Sequence, residues 1–229
     1  MIQQTIFPFK IEITKERLTA HGGLGLMAEF NHGIGLREFT ERYLPESKSN
    51  RGFKASVFVD SVVLMLEGGG RSLEDIRELE YEDSLMKIIG RCNIPSSDAI
   101  GDWLRRMGDK ESGGSGLEGL DKVREVINQR IMRRDGIKDY TSDGDAMEIA
   151  TEKENAYYTY KGNKGFMPMA GFLYENNLCL YDEFRGGNVA PAFGQKEFYG
   201  ECKKRMPQGK SIKYYWADSV PDRFIQGLS

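Results

Sequence analysis

The sequence predicts an α+β protein, with a helical N-terminal region followed by a mixed sheet. Three observations lead to this prediction. Apolar residues recur at helical spacing through most of residues 1–135, extended apolar and aromatic segments dominate residues 136–229, and one helical segment precedes the last of these strands. A chain of 229 residues is long enough for two modest domains. We therefore expect a domain boundary near residue 135.

The composition is that of an ordinary globular protein without a membrane span. The formal net charge is −3, and no apolar run approaches the roughly 20 residues that a transmembrane helix needs. The first 18 residues lack the basic and apolar regions of a signal peptide, so we expect a cytoplasmic protein. Three widely spaced cysteines without a CxxC pair argue against a disulfide framework or a structural zinc site, and predict buried thiols.

The N-terminal region is predicted to be a series of helices. Residues 24–30 and 36–44 have helical apolar spacing, and Pro45 ends the second helix. Residues 54–67 are apolar nearly all round, which is typical of a helix buried on most sides. Three shorter helices follow, and they fit a helix-turn-helix-like module or another small bundle. Their start and stop signals are the S-x-x-D pattern at Ser72, Gly90, and Ser96 or Ser97.

A glycine- and serine-rich stretch, residues 111–119, is predicted to be a flexible loop or a boundary before a helix over residues 120–134. Three strands then follow, in residues 139–149, 165–175 and 178–184, and the turn at Asn176-Asn177 joins the last two as a hairpin. A helix over residues 194–206 ends at Pro207, and a fourth strand starts at Ser211. The predicted order is strand, strand, strand, helix, strand.

Two stretches are locally basic although the chain is acidic overall. Residues 122–138 contain six basic residues against two acidic ones, and residues 196–210 contain five against two. Such clusters are common on solvated helix faces, so they indicate a polyanion partner only where another feature demands one.

The first strand carries two aspartates, one residue apart, in the stretch TSDGDAMEIA. Because strand side chains alternate between faces, Asp143 and Asp145 are expected to project to the same side. Unpaired buried charges cost several kcal/mol each, so the pair must lie at a wet strand end or face a cation.

The strand order, with Asp145 on the first strand and Asp218 just after the fourth, is similar to the ribonuclease H-like arrangement. In that arrangement the first and fourth strands are neighbours, which predicts that the carboxylates of Asp145 and Asp218 lie within about 5 to 7 Å of each other. Carboxylate oxygens suit Mg²⁺ or Mn²⁺, and two such ions can activate an attacking oxygen and stabilise a leaving one in phosphodiester chemistry.

A more specific resemblance covers most of the chain. Residues 157–219, together with LTAHGGLGLMAEF and GFKASVFVDSVVLMLEGGGRSLEDI in the N-terminal region, resemble the DDE transposases of bacterial insertion sequences in the IS4-like group. In that family the first catalytic aspartate lies in a D-x-D-A-T strand, which matches Asp145, and the second lies in an A-D-S stretch, which matches Asp218. Met147 replaces the threonine of the family pattern.

The resemblance implies a helical DNA-binding region at 1–135, and at 136–229 the front part of a ribonuclease H-like catalytic domain. It implies Mg²⁺ or Mn²⁺ held by Asp145 and Asp218, and double-stranded DNA partners, namely transposon end repeats and target DNA. A homodimer or pairing with a full-length transposase stays open. The candidate DNA-binding residues are Lys161, Lys164, Arg185, Arg130, Arg133 and Arg134.

One departure from the family concerns the third acidic residue, a glutamate in a Y-x2-R-x3-E-like signature far beyond the second aspartate. The sequence ends eleven residues after Asp218, so the resemblance implies an incomplete catalytic site and a truncated copy. Two rivals to an active transposase are therefore open. One is a catalytically dead, DNA-binding regulator or remnant, and the other is a metal-dependent nuclease that completes its site with Glu148 or Asp143.

Overall fold

The computed structural model describes residue 15 and residues 19–46, 52–90, 93–108 and 115–217. Its helices are α1 (Gly22–Ile34), α2 (Leu36–Tyr43), α3 (Ala55–Glu67), α4 (Ile76–Glu80), α5 (Asp83–Ile88), α6 (Ser97–Gly108), α7 (Gly116–Met132) and α8 (Gln195–Lys204). Its strands are β1 (Asp139–Ala146), β2 (Ile149–Ala150), β3 (Tyr157–Tyr158), β4 (Lys164–Phe166), β5 (Met169–Leu173), β6 (Cys179–Glu183) and β7 (Ser211–Trp216). This α+β organisation confirms the predicted fold class.

The chain divides into two compact units. The first comprises residues 1–33 and 46–106, and the second comprises residues 34–45 and 107–229. Helices α2 and α7 thus group with the strands, whereas the expected functional boundary near residue 135 remains a prediction. Among the described residues, no helix is both long and apolar enough to cross a membrane.

The first unit is a small helical bundle built around aromatic and branched side chains. The rings of Phe58 on α3 and Trp103 on α6 stack with their centroids 5.0 Å apart. Ile76, Leu85 and Ile100, from α4, α5 and α6, are fully buried. Burying such side chains contributes about 1.5 to 3 kcal/mol each.

The helix ends of this bundle confirm the predicted signals. Asp75 accepts a hydrogen bond from the backbone N–H of Ser72 at 2.8 Å, in a 3-10 turn that leads into α4. Ser96 Oγ accepts a hydrogen bond from the N–H of Ala99 at 3.3 Å at the start of α6. Gly90, with φ of 67°, follows α5 in the left-handed conformation that favours glycine.

The second unit contains a four-stranded mixed sheet in the order β6-β5-β1-β7. Strand β1 pairs antiparallel with β5 and parallel with β7, and β5 and β6 form the predicted hairpin. Asn177 has a positive φ of 56°, as residues in tight turns often do. The first and fourth predicted strands are therefore neighbours, as the sequence analysis expected.

Helix α8 covers one face of this sheet. Tyr140, Leu173, Ile212 and Tyr215 from the strands pack with Phe198, Tyr199 and Cys202 of α8 in a single buried cluster. A parallel strand pair needs a crossover connection, and α8 supplies it between β6 and β7. The packing of α8 therefore fixes the position of β7 beside β1.

A second sheet of three short strands, in the order β2-β4-β3, was not predicted. The predicted strand over residues 165–175 is in fact two strands, β4 and β5, because Met167 and Pro168 separate them. Proline has no backbone N–H to donate to a sheet ladder, so strands commonly end at it. Strand β4 then pairs with β2 and β3 instead of with β1.

Helix α7 begins inside the stretch that was predicted to be a loop. Residues 111–114 lie outside the described residues, but Gly116 to Gly119 are helical, so the prediction was wrong for these four. A Cβ atom at Gly119 would lie 2.5 Å from the carbonyl oxygen of Tyr43. Glycine is thus needed here because the end of α2 packs closely on α7.

Candidate functional site

The two faces of β1 differ in exposure, and the difference places both aspartates on one side. Tyr140, Ser142 and Gly144 are buried toward α8, whereas Asp143 and Asp145 are exposed on the opposite face. This alternation confirms that the two carboxylates project to the same side. Because that side faces solvent, the strand carries both carboxylates without burying either of them.

Strand β7 runs parallel to β1 and toward the same edge of the sheet. The register pairs Thr141 with Tyr214 and Asp143 with Trp216, which is the last described pair of this ladder. Asp218 follows Trp216 by two residues, as Asp145 follows Asp143, but Asp218 lies outside the described residues. The predicted approach of Asp145 and Asp218 to within about 5 to 7 Å therefore remains a prediction.

Two further carboxylates near Asp145 have partners of their own. Glu148 accepts hydrogen bonds from the Thr159 hydroxyl and, at 3.2 Å, from the Asn163 side chain. The bond from Thr159 holds the pKa of Glu148 below its usual value. Asp182 on β6 pairs in register with Ala170, the residue that also pairs with Asp145, and it forms an ion pair with Arg124.

Within the described ranges, no group of three or more His, Cys, Asp or Glu side chains is arranged to hold a metal ion. Asp145 is thus the one member of the predicted metal pair whose placement is described.

The three arginines predicted near the end of α7 differ in their surroundings. Arg130 donates to the carbonyl of Ile34 at 3.4 Å and lies over the ring of Phe39, with 5.9 Å from its guanidinium carbon to the ring centroid. Arg133 and Arg134 are exposed just beyond it, and Arg133 donates to the Gln129 side chain at 3.3 Å. Arg133 and Arg134 are therefore accessible to a phosphate, whereas Arg130 already takes part in packing.

The three basic residues predicted on the strand side also differ. Lys161 is exposed in the turn after β3, and Lys164 is half-buried on β4. Arg185 is buried, with 5% of its side chain exposed, and it donates to Glu183 and to the carbonyl of Phe193. A guanidinium so enclosed is a structural group, because a phosphate could reach it only by breaking these bonds.

Sequence reasoning missed how much of the basic charge on α7 is neutralised within the protein. Arg124 forms ion pairs with Asp121 and Asp182. Asp121 also forms an ion pair with Arg205, at 2.7 Å. Arg205 in turn lies over the ring of Tyr181, 4.3 Å from its centroid. The only sequence signal for this network is the three-residue spacing of Asp121 and Arg124 on one helix face.

No family model, curated protein or solved structure matches the chain in comparisons with known proteins.

Proposed function

We propose that the chain carries the DNA-binding region and the front part of the catalytic domain of a DNA transposase of the insertion-sequence DDE type. The observation that supports this most is the sheet order β6-β5-β1-β7 with β1 and β7 parallel. In that order β1, which carries Asp145, and β7, which precedes Asp218, run in the same direction and end at the same side of the sheet. Fold order alone does not determine function, so the carboxylates must be tested directly.

Asp145 suits the proposed role of a ligand for Mg²⁺ or Mn²⁺. Its carboxylate is exposed near the C-terminal end of β1, and such oxygen donors are the ligands that these ions prefer. We propose Asp218 as the second ligand. When bound, the ion would polarise the phosphodiester that is cleaved. The protein's part is to hold the carboxylates on rigid strands, and the buried cluster beneath β1 supplies that rigidity.

For DNA contacts we retain Arg133, Arg134, Lys161 and Lys164, the members of the predicted set that are exposed or half-buried and so open to a phosphate. Arg130 and Arg185 are left out because their guanidinium groups already bind backbone carbonyls and pack on rings.

The rival nuclease site finds less support at Glu148. Its carboxylate accepts from both Thr159 and Asn163, so metal binding there would cost these hydrogen bonds. A DNA-binding regulator without catalysis remains the alternative if no metal binds.

The test is a titration of the full chain with Mn²⁺. Binding is measured by electron paramagnetic resonance, as the decrease in the signal of the free ion. We expect Asp145→Asn and Asp218→Asn each to weaken binding by at least about 10-fold, since each removes a charged ligand, equivalent to about 1.4 kcal/mol or more.

Asp143→Asn is the matched control, because Asp143 is exposed on the same face of the same strand. It changes the charge identically, so we expect it to weaken binding by less than about threefold, the size of a surface-charge effect. Equal losses for Asp143→Asn and Asp145→Asn would show that only general negative charge attracts the ion. Undetectable Mn²⁺ binding by the wild-type chain would leave the DNA-binding regulator as the better description.

A further inference from the structure

The hairpin between β3 and β4 presents aromatic rings to solvent at its tip. We call residues Tyr158 to Lys164 the finger tip. Tyr158 is 73% exposed and Tyr160 is 66% exposed. Tyrosine rings usually pack at least in part against the protein, so two neighbouring rings exposed to this degree form a surface that the fold itself does not use.

The finger tip is supported by hydrogen bonds within it and by one to Glu148. Thr159 is buried, accepts a hydrogen bond from the Lys161 N–H at 3.2 Å and donates its hydroxyl to Glu148. Its backbone N–H donates to the carbonyl of Asn163 at 2.8 Å, and Gly162 takes a φ of 86° that closes the turn. A fixed platform loses little entropy when a ligand binds, which favours binding.

Lysines accompany the exposed rings. The Lys161 ammonium lies 5.6 Å from the centroid of the Tyr160 ring. Lys164 pairs with Tyr158 across the β3-β4 ladder, and directly opposed residues have Cβ atoms about 5 Å apart on the same face. The Tyr160 ring therefore has a cation beside it, and Tyr158 has a lysine as its cross-strand partner.

Further aromatic side chains and two acidic residues lie near the finger tip. On the same face as Lys164, Phe166 packs on the 67% exposed ring of Phe184, with a 4.9 Å centroid distance. Tyr157 projects to the opposite face, where a Cβ at Gly186 would lie 3.4 Å from its ring. Glu152 and Glu154 are exposed in the connection before β3, so the favourable charge comes from the two lysines and not from the whole segment.

We propose that the finger tip binds single-stranded DNA, with unpaired bases stacked on Tyr158 and Tyr160 and phosphates placed at Lys161 and Lys164. Exposed aromatic rings beside cations are the combination that single-strand binding proteins use, because every base offers a π face. Duplex DNA presents its bases only at their edges, so these rings gain little from it. The inference rests on the proposed function, which supplies a DNA substrate.

The test measures binding of the full chain to a fluorescein-labelled dT oligomer of about 15 nucleotides by fluorescence anisotropy, with EDTA present. A blunt duplex of the same length is measured alongside. Tyr158→Ala combined with Tyr160→Ala is expected to weaken single-strand binding by at least about 10-fold, given the stacking contribution of each ring. Duplex binding is expected to stay within about twofold, because the substitution removes no charge.

Tyr158→Phe combined with Tyr160→Phe is the matched control, since it keeps both rings and removes only the hydroxyls. We expect it to bind the oligomer within about threefold of wild type. Equal loss in the two double variants, or equal loss of duplex and single-strand binding, would overturn the stacking assignment. Tighter binding of an rU oligomer than of the dT oligomer would overturn the assignment to DNA.

A second measurement does not depend on how the variants fold. A bromodeoxyuridine oligomer is photocrosslinked to the wild-type chain and the adduct is mapped by mass spectrometry. Adducts at Tyr158 or Tyr160 support the proposal, and adducts confined to other segments contradict it. Because EDTA removes divalent ions, binding of the oligomer under these conditions does not require the proposed metal site. A failure at the finger tip is thereby distinguished from a failure of the proposed metal site.

Discussion

Asp135, just after α7, is a structural hub whose removal should destabilise the sheet-bearing unit. Its carboxylate accepts hydrogen bonds from the Tyr140 hydroxyl at 2.6 Å, the Lys210 ammonium at 3.0 Å and the Asn176 side chain at 3.1 Å, and also from the Ile137 N–H. These partners belong to β1, to the turn before β7 and to the β5-β6 turn. One carboxylate thus joins the end of α7 to three other segments.

The cost of Asp135→Ala follows from what it leaves behind. Lys210 is only 12% exposed and the Asp135 side chain only 17%, so the ammonium loses its carboxylate in a largely enclosed place. Removing one partner of a buried charge pair costs about 3 to 5 kcal/mol. The lower end of this range applies to Asp135→Ala, because Lys210 keeps its hydrogen bond to the Ile137 carbonyl. We therefore expect a loss of about 3 kcal/mol, which corresponds to a drop in Tm of roughly 6 to 12 °C for a chain of this size.

The same hub should make stability depend on acid pH. Burial alone would raise the pKa of Asp135, but the hydrogen bonds from Tyr140, Lys210, Ile137 and Asn176 outweigh it and hold the pKa below its usual value. Near its pKa the carboxyl therefore binds fewer protons in the folded state than in the unfolded state. Its stabilisation is complete above the unfolded pKa of about 3.9 and is lost as the pH falls through the lower, folded pKa.

The assay is urea or thermal unfolding of wild type, Asp135→Ala and a control between pH 3 and 7. Asp139→Ala is the matched control, because Asp139 also links β1 to β7, through a 2.7 Å hydrogen bond from Ser211, but is exposed. It should cost less than about 1 kcal/mol. The difference between wild type and Asp135→Ala should be constant near pH 6 and shrink below pH 4. A cost for Asp135→Ala no larger than that for Asp139→Ala, or a difference that grows at low pH, would refute the reasoning.

Two further predictions concern α7 and α8. Arg133→Gln combined with Arg134→Gln should reduce the salt dependence of duplex-DNA binding, because the slope of log K against log salt falls in magnitude by about 0.9 for each phosphate that the protein no longer neutralises. Arg130→Gln is the control and should leave the slope nearly unchanged. An unaltered slope in the double variant would contradict the assignment. Burial raises the pKa of Cys202 to about 12, so iodoacetamide at pH 8 should modify Cys202 only after unfolding, as measured by peptide mass spectrometry; rapid modification of the folded chain would contradict its burial.

The elements that the sequence predicted correctly are those with strong local signals. Helices α1, α2 and α3 follow from apolar periodicity, and Pro45 follows the end of α2 where the sequence placed its stop. The β5-β6 hairpin follows from its extended apolar segments and from the Asn176-Asn177 turn. In each case a few adjacent residues carry the information, and the tertiary structure agrees with it.

The features that the sequence did not predict depend on contacts between distant residues. Strand β4 leaves the main sheet at Pro168, but its partners β2 and β3 are too short for a periodicity signal. The burial of Arg185 depends on Glu183 and on the carbonyl of Phe193 in the following loop, neither of which is visible in a charge count. Basic residues near a candidate site can therefore be located from the sequence, but their availability to a ligand cannot.

The D-G-D stretch of β1 combines a packing role and a solvent-facing role in three consecutive residues. A Cβ atom at Gly144 would collide with the phenol of Tyr215 on β7, and the Tyr215 hydroxyl passes this position to donate to Gln195 on α8. The glycine therefore permits a contact that ties β1, β7 and α8 together directly beneath the two aspartates. Because neighbouring strand residues face opposite ways, the residue that locks β7 beside β1 must lie between the residues that face solvent. Asp145 is thus held on a strand whose position beside β7 is fixed by side-chain packing, as its proposed role as a metal ligand would require.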